Sequence, residues 1–485
     1  MSLKEQPGNI QAPKFWFLCS IALISGGVLA SSIWVFTPYS FWLDELYSVT
    51  AANEGLSSLH SIILGDVHPP LYPVMLKLWV MIFGDSELST RALSLGFALA
   101  AAIYLHSKTS KYGTFFCTLA LLFFTTNWLF SFYANEVRAY SMMLFFATLL
   151  ATNIPSENRK PSLMFYASSF LLSLTHYFGF LMTVVTLVVY ALRQFKQPRL
   201  LFPVFSVGVL CVAWPIYHMI TGDLLNKTDG NFWIKVDGVL DSFRIAATAY
   251  VPKTEKIGGV ILFLGLLFAA AITRRNSKTL SISNYAFLAH AHTTAIISLI
   301  FLVLVAVIDF WSPMSTVRNY IVLLPFLSLS LAGTFVFLIQ KYPKTGKIFL
   351  SLLIVYCSLA LMGSFRQTYV KSIGIDDWRG ASLFIKNNHD SKNIYFIMHD
   401  KTNMWKRLVA NFYLKTFSNG ELNAKPYVIG KTKLELPAMI LVAHLSDNQV
   451  DKLEKEIDIF AATQSYKRGI PIDFRSGSVG VYLIN

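Results

Sequence analysis

Long apolar blocks alternate with short polar segments over the first three-quarters of this chain. A helix that crosses a membrane needs roughly 17–25 mostly apolar residues. Blocks of this kind run over about Trp16–Phe36, Thr90–Tyr104, Gly113–Phe130, Val137–Thr152, Leu163–Leu174, Phe178–Leu192, Leu201–Ile220, Ile257–Ile272, Ala286–Ile308, Tyr320–Ile339 and Ile348–Ser364. They predict about eleven spans. The pair Leu163–Leu174 and Phe178–Leu192, joined at Thr175-His-Tyr-Phe-Gly179, is short for two full crossings. Leu71–Phe83 is also too short to cross, and it carries Lys77 and Trp79, as an interfacial or re-entrant helix does. From about Arg366 the pattern changes. Short β-like runs at Ile394–Met398, Ala438–Val442 and Val479–Leu483 alternate with helix-like stretches at Asn403–Tyr413 and Asp447–Phe460. The expected division is a membrane domain over residues 1–365, with a long loop at 37–89, and a small α/β domain over 366–485.

Composition agrees with this pattern. Of the 485 residues, 54% are hydrophobic and 14% charged, and the mean hydropathy is +0.51. A soluble domain carries about 25% charged residues. The net charge of +14 does not point to nucleic acid, because the basic residues cluster in short loops between apolar blocks. Loops 107–112, 154–161, 193–199, 273–283 and 341–347 each hold two or three of them, with Glu157 as their sole acid. The 37–89 loop instead holds Asp44, Glu45, Glu54, Asp66, Asp85 and Glu87. The positive-inside rule then puts the N-terminus in the cytoplasm and the acidic loop outside, with the tail on the same outer side. Cys19, Cys117, Cys211 and Cys357 all lie in apolar blocks and read as small buried residues. The polar start, MSLKEQPGNIQAPK, leads into a long apolar run, as a retained first span does.

Candidate chemistry concentrates in the acidic loop and at span ends. Asp44 and Glu45, in Phe41-Trp-Leu-Asp-Glu-Leu-Tyr47, follow directly after the first block. Such a pair can simply be solvated. Its apolar flanks, Trp42, Leu43, Leu46 and Tyr47, suit a second role, because desolvation and a neighbouring carboxylate both raise a carboxyl pKa. A base that takes a proton from a hydroxyl needs that tuning. In Asp66-Val-His-Pro-Pro-Leu-Tyr72 the prolines stiffen a turn, while Asp66 and His68 can line an outer cavity. A metal site of Asp, Glu and His68 is possible, but the spacing is not diagnostic and a divalent ion is not favoured. Glu136-Val-Arg138-Ala-Tyr140 opens the fourth span and Arg318-Asn-Tyr320 opens the tenth. An arginine at a span end commonly snorkels. Two on one leaflet can also hold a phosphate, the more so at helix N-termini. His176 is either a structural histidine or a proton carrier. Asn226-Lys-Thr228 matches a glycosylation sequon.

In combination, the outer acid pair, His68-Pro-Pro-Leu-Tyr72 and Glu136-x-Arg-x-Tyr140 resemble the GT-C superfamily of glycosyltransferases. The nearest likeness is to its bacterial branch, similar to protein O-mannosyltransferases and lipid A aminoarabinose transferases. His176-Tyr-Phe-Gly179, Arg318-Asn-Tyr320 and Asp377-Trp-Arg-Gly380 fit the same branch. The resemblance covers about Phe41–Pro325 well and the tail loosely. It implies a polytopic α-helical membrane protein of GT-C type with a small C-terminal α/β extracytoplasmic domain, in a bacterial inner membrane. It also implies transfer of a monosaccharide from a polyprenyl-phosphate carrier to an acceptor, with inversion. In that scheme Asp44 is the general base, and Glu45 tunes it or binds the acceptor. Arg138 and Arg318 hold the carrier phosphate. Asp66, His68, Tyr72, Glu136, Tyr140, His176 and Tyr320 line the substrate cavity. The aspartate-rich metal motif of oligosaccharyltransferases is not evident, so the resemblance does not favour metal dependence. The implied partners are the polyprenyl-phosphate-linked donor, the bilayer, and a glycan, lipid or protein acceptor. O-antigen or another surface glycan leads among acceptors, since the architecture also resembles serotype-converting glucosyltransferases.

Two other classes compete. A transporter or flippase for a lipid-linked sugar also needs outer arginines and a membrane cavity. It should show internal repeats and mid-span polar groups, which are not clear here. A membrane assembly scaffold would leave Asp44 dispensable.

Overall fold

The computed structural model describes residues 14–33, 36, 39–156, 159–222, 234–251, 256–277, 286–374, 376–388, 393–398, 404–435, 437–443, 447–464, 472–474 and 479–484. The N-terminal tail, the Asn226–Thr228 sequon with Lys227, and Lys278 of a basic loop lie outside these residues.

Among the described residues, every apolar block is mainly helical. In chain order the helices are α1 (Lys14–Ile33), α2 (Leu43–Asn53), α3 (Leu56–Leu64), α4 (Leu71–Phe83), α5 (Glu87–Thr109), α6 (Thr114–Thr126) and α7 (Trp128–Ala134). Next come α8 (Tyr140–Thr152), α9 (Leu163–Ser173), α10 (Tyr177–Arg193), α11 (Pro198–Thr221), α12 (Val239–Thr248), α13 (Lys256–Ser277) and α14 (Ala286–Trp311). A 3₁₀ helix over Val317–Leu323 runs into α15 (Leu324–Lys341), and α16 (Pro343–Gly374) follows. The tail holds α17 (Trp378–Asn388), β1 (Asn393–Met398), α18 (Met404–Phe417), β2 (Lys425–Pro426), β3 (Ala438–Ala443), α19 (Asp447–Gln464), β4 (Ile472–Phe474) and β5 (Val479–Ile484).

Among the described residues, 6 helices are long and apolar enough to cross a membrane, and α6 with α7 makes a seventh bent by 58°. The chain is a multi-pass membrane protein. The other four expected spans correspond to α1 and to α8, α9 and α10, of which the last three are shorter apolar helices of 10–17 residues. The short-loop pair α9–α10 is as short as its sequence suggests. The fourth span starts three residues later than its apolar block, at Tyr140 rather than Val137. The cause is the turn before it, where Arg138 N–H donates to the Glu136 carbonyl at 2.8 Å and holds the backbone out of the helix.

By internal packing the chain forms two units. The first comprises Met1–Val35, Ile63–Val74 and Arg91–Thr368; the second comprises Phe36–Ile62, Met75–Thr90 and Tyr369–Asn485. The 37–89 loop thus contributes to both.

In the first unit the helix running from Val317 through α15 is central, with 83% of its most apolar window buried, whereas that window in α11 is 11% buried. A helix buried on all sides must pack through small residues. Gly333 of α15 does so, since a Cβ there would clash with the Ala291 methyl group of α14. The bend between α6 and α7 falls at Asn127, whose side chain accepts from Leu129 N–H at 2.9 Å and starts the new helix. On one side Gly27 of α1 lies too close to the Thr125 carbonyl for any side chain, and on another Ser364 of α16 donates to the Thr126 carbonyl at 3.3 Å.

The second unit carries a five-stranded sheet of order β2-β1-β3-β5-β4. β1 pairs parallel with β2 and β3, and β5 pairs antiparallel with β3 and β4. Ile394–Ile397 of β1 are all buried, as a central strand covered on both faces requires. Leu453 and Ile457 of α19 share one core with Tyr395, Ile440, Tyr482 and Ile484. The segment before α2 is pinned inside this unit. Phe41 N–H donates to the Tyr413 hydroxyl (2.9 Å), which donates to Glu87 Oε1 (2.8 Å). Arg379 reaches the same carboxylate at 3.3 Å, and its backbone N–H donates to Ser40 Oγ at 3.2 Å.

Candidate active site

A compact cluster in the first unit gathers residues from three loops. The Asp66–Pro70 loop leads into α4, whose first N–H, at Leu71, donates to the Leu174 carbonyl at 3.0 Å. That bond joins the Pro-Pro turn to the α9–α10 turn and brings His68 to His176, ring centroids 5.2 Å apart and edge to face. Asp66 receives Val67 N–H at 2.7 Å and lies 3.2 Å from His68 Nδ1. The two side chains are only 20% and 18% exposed. His176 caps α10, with Nδ1 accepting from Phe178 N–H at 3.1 Å. The neutral ring therefore carries its proton on Nε2, a donor for an incoming oxygen.

The third loop is the turn 135–139. Arg138 is 9% exposed and Glu136 1%, and the Glu136 carbonyl accepts from Ser94 Oγ at 2.6 Å. The sequence predicts this stretch at a helix start; it forms the turn before one. Tyr140, fully buried, lies against His176 at 5.9 Å between centroids and against Tyr133 at 4.7 Å. Arg318, on the 3₁₀ helix, holds its guanidinium 5.7 Å from the Tyr140 ring centroid. Tyr320 packs edge to face on Phe178 at 5.6 Å, and Tyr72 is 4% exposed.

Charges in the cluster shape one another. Burial alone would push the Asp66 carboxyl up, but His68 beside it and Arg138 nearby hold it well below the usual carboxylate range. Burial, reinforced by His68, Arg318 and Arg138, holds the His176 imidazole well below its ordinary value. The site therefore combines an ionised Asp66, a neutral His176 and two arginines. That set suits an anionic group with several oxygens.

Asp44 and Glu45 belong to the second unit, in the first turn of α2. Glu45 is fully buried, and its carboxylate turns back to Trp42 N–H at 3.4 Å. Asp44 is partly exposed; its carbonyl accepts from Ser48 Oγ at 3.0 Å. Asp377, of the tail motif, caps α17 by accepting from Gly380 N–H at 2.9 Å.

Sequence reasoning did not single out four supporting groups. Tyr177 lies 2.6 Å from His218 Nδ1, and His218 Nε2 lies 3.2 Å from the Leu64 carbonyl at the root of the Asp66 loop. Asp309 and Ser242 support Tyr320. The available signal was an acid or histidine inside an otherwise apolar block, which demands a partner in a membrane.

The α9–α10 turn tolerates no side chain at Gly179, where a Cβ would stand 2.5 Å from the Leu172 carbonyl. Gly179→Ala is expected to destabilise the protein by about 1–3 kcal/mol. A lowered melting temperature in detergent checks this; an unchanged one contradicts the close approach.

No protein-family model matches the chain, and no curated protein sequence matches it. Solved structures do. ArnT from Cupriavidus metallidurans in the apo state aligns over 97% of this chain and 98% of its own, with TM-score 0.59 and 12% identity. ArnT from Cupriavidus metallidurans bound to undecaprenyl phosphate aligns over the same shares, with TM-score 0.55 and 13% identity. Despite the divergent sequence, the chain shares the overall fold of these ArnT structures over nearly its whole length.

Proposed function

We propose that this protein transfers a monosaccharide from a polyprenyl-phosphate carrier to a hydroxyl of an extracytoplasmic acceptor, with inversion at the anomeric carbon. The observation that carries this reading is the pair Arg138 and Arg318 around the Asp66–His68–His176 cluster, on the fold of an enzyme whose ArnT structure holds undecaprenyl phosphate. In the reaction Asp44 takes the acceptor's hydroxyl proton. The acceptor oxygen bonds to the anomeric carbon as the bond to the carrier phosphate breaks, and polyprenyl phosphate leaves. Arg138 and Arg318 stabilise the charge that develops on it. His176 donates through Nε2, and Asp66 keeps His68 oriented. Tyr72, Glu136, Tyr140 and Tyr320 shape the cavity.

The basic loops support an orientation with the N-terminus in the cytoplasm and the site and tail on the periplasmic side of a bacterial inner membrane. O-antigen or another surface glycan is the acceptor class we favour. Linkage analysis and mass spectrometry of the surface glycan, with and without this chain, test the assignment. A hexose branch that vanishes with the gene while lipid-linked sugar accumulates on the outer leaflet supports it; loss of the branch with accumulation on the cytoplasmic leaflet supports a flippase instead.

The reaction so written needs no resident divalent ion, since proton transfer and charge stabilisation both fall to side chains. Treatment with a chelator is expected to leave transfer within about twofold of its untreated rate. Strong inhibition restored by a divalent cation contradicts that.

A further inference from the structure

Asp309 is an acid at the end of the most apolar block, 2% exposed. One carboxylate oxygen accepts from Met314 N–H (2.9 Å) and Ser315 N–H (3.0 Å); the other accepts from the Ser242 hydroxyl (2.5 Å). Both serines then meet one phenol, Ser315 Oγ at 3.0 Å and Ser242 Oγ at 3.4 Å from Tyr320 Oη. The Tyr320 carbonyl accepts from the Tyr250 hydroxyl at 2.7 Å, and the Tyr250 carbonyl from the Tyr356 hydroxyl at 2.9 Å. Asn319 closes the loop by donating to the Met314 carbonyl at 3.1 Å.

These bonds converge on a 3₁₀ helix of 7 residues, Val317–Leu323. Runs of that kind beyond three or four residues are uncommon, because their hydrogen bonds are poorer than those of an α-helix. This one is fixed from outside, and Arg318 is its second residue. We propose that Asp309 is a positioning residue for Arg318. It ties the end of α14, the loop 312–316 and α12 into one bracket, and the bracket sets where the guanidinium stands over Tyr140. Ser242 and Tyr320 are the two arms of the bracket. This rests on the assignment of Arg318 to the carrier phosphate.

The test uses the full-length protein in detergent or nanodiscs, with Asp309→Ala, Asp309→Asn and Arg318→Ala. Asparagine keeps a carbonyl for the two backbone N–H groups and an amide that pairs with the Ser242 hydroxyl. Asp309→Ala is expected to lose amide-exchange protection across residues 312–323, with protection elsewhere unchanged, and Asp309→Asn to retain most of it. Binding of undecaprenyl phosphate is expected to weaken about tenfold in Asp309→Ala and less than threefold in Asp309→Asn. In the Arg318→Ala background the further loss from Asp309→Ala should vanish, as coupled partners require. Undiminished protection in Asp309→Ala overturns the proposal. So does an equal further loss of binding without Arg318, which marks a merely structural role. A wild-type protein that does not bind undecaprenyl phosphate overturns the carrier assignment instead, and the exchange result alone then decides whether Asp309 holds the segment. Should Asp309→Ala fail to fold, Asp309→Asn with Ser242→Ala carries the same comparison.

Discussion

Asp44→Asn is expected to lower sugar transfer by about 10²–10⁴-fold, the usual contribution of a general base, while expression and carrier binding stay near wild type. Asparagine matches the carboxylate in size and keeps one oxygen, so a helix start is preserved while the proton acceptor is lost. The neighbouring acid is already committed. Glu45 is fully buried and bonds to Trp42 N–H, as the third residue of a capping box does. Glu45→Gln keeps that bond, and a smaller loss is expected of it. A transfer assay with purified protein and polyprenyl-phosphate sugar decides between the two. Full activity in Asp44→Asn removes Asp44 from the base role and reopens the scaffold reading.

Arg138→Ala is expected to weaken binding of undecaprenyl phosphate by about 10–100-fold, as the loss of charge-assisted hydrogen bonds in a buried site would. Arg138→Lys recovers part of it, because lysine keeps the charge but not the planar fork. Equal binding in both variants rules out a phosphate clamp. The substitution also changes the acid limb. Arg138 helps hold Asp66 below its ordinary value, so the stabilisation that Asp66 gains is complete above the ordinary carboxylate range and is lost as pH falls through the depressed value. Without Arg138 that value rises, so Asp66 contributes less stability in Arg138→Ala, and its share of the melting temperature falls less between pH 7 and pH 3 than in wild type. Melting temperatures across pH 3–7 measure the difference.

Much of the fold can be read from hydropathy alone. The 13-residue block Leu71–Phe83 is a helix with those bounds, and the tail's β-like runs are strands β1, β3 and β5. The short strands β2 and β4 escaped because two or three residues carry no period. The site was legible as a set of residue types: Asp66, His68, Tyr140, His176 and Arg318 do come together. Their geometry was not legible, because it depends on a backbone bond between Leu71 and Leu174, residues with no chemical signature of their own. Glu136 and Arg138 were misplaced onto a helix for the same reason, since an i to i+2 turn bond leaves no mark in composition. Asp309 was visible only as a charge at a span end, and its bonds run to residues close in sequence and far from it alike.

The bend at Asn127 has a consequence for biogenesis. A helix broken inside an apolar span exposes carbonyls that lipid cannot satisfy. Here Thr126 is answered by Ser364, a residue 238 positions further along the chain. At translation rates of about 5–20 residues per second, that partner emerges roughly 10–50 s after the bend. Until then the third apolar segment enters the bilayer incomplete, shielded on one side by α1, and the insertion machinery or a water defect has to supply what α16 later provides.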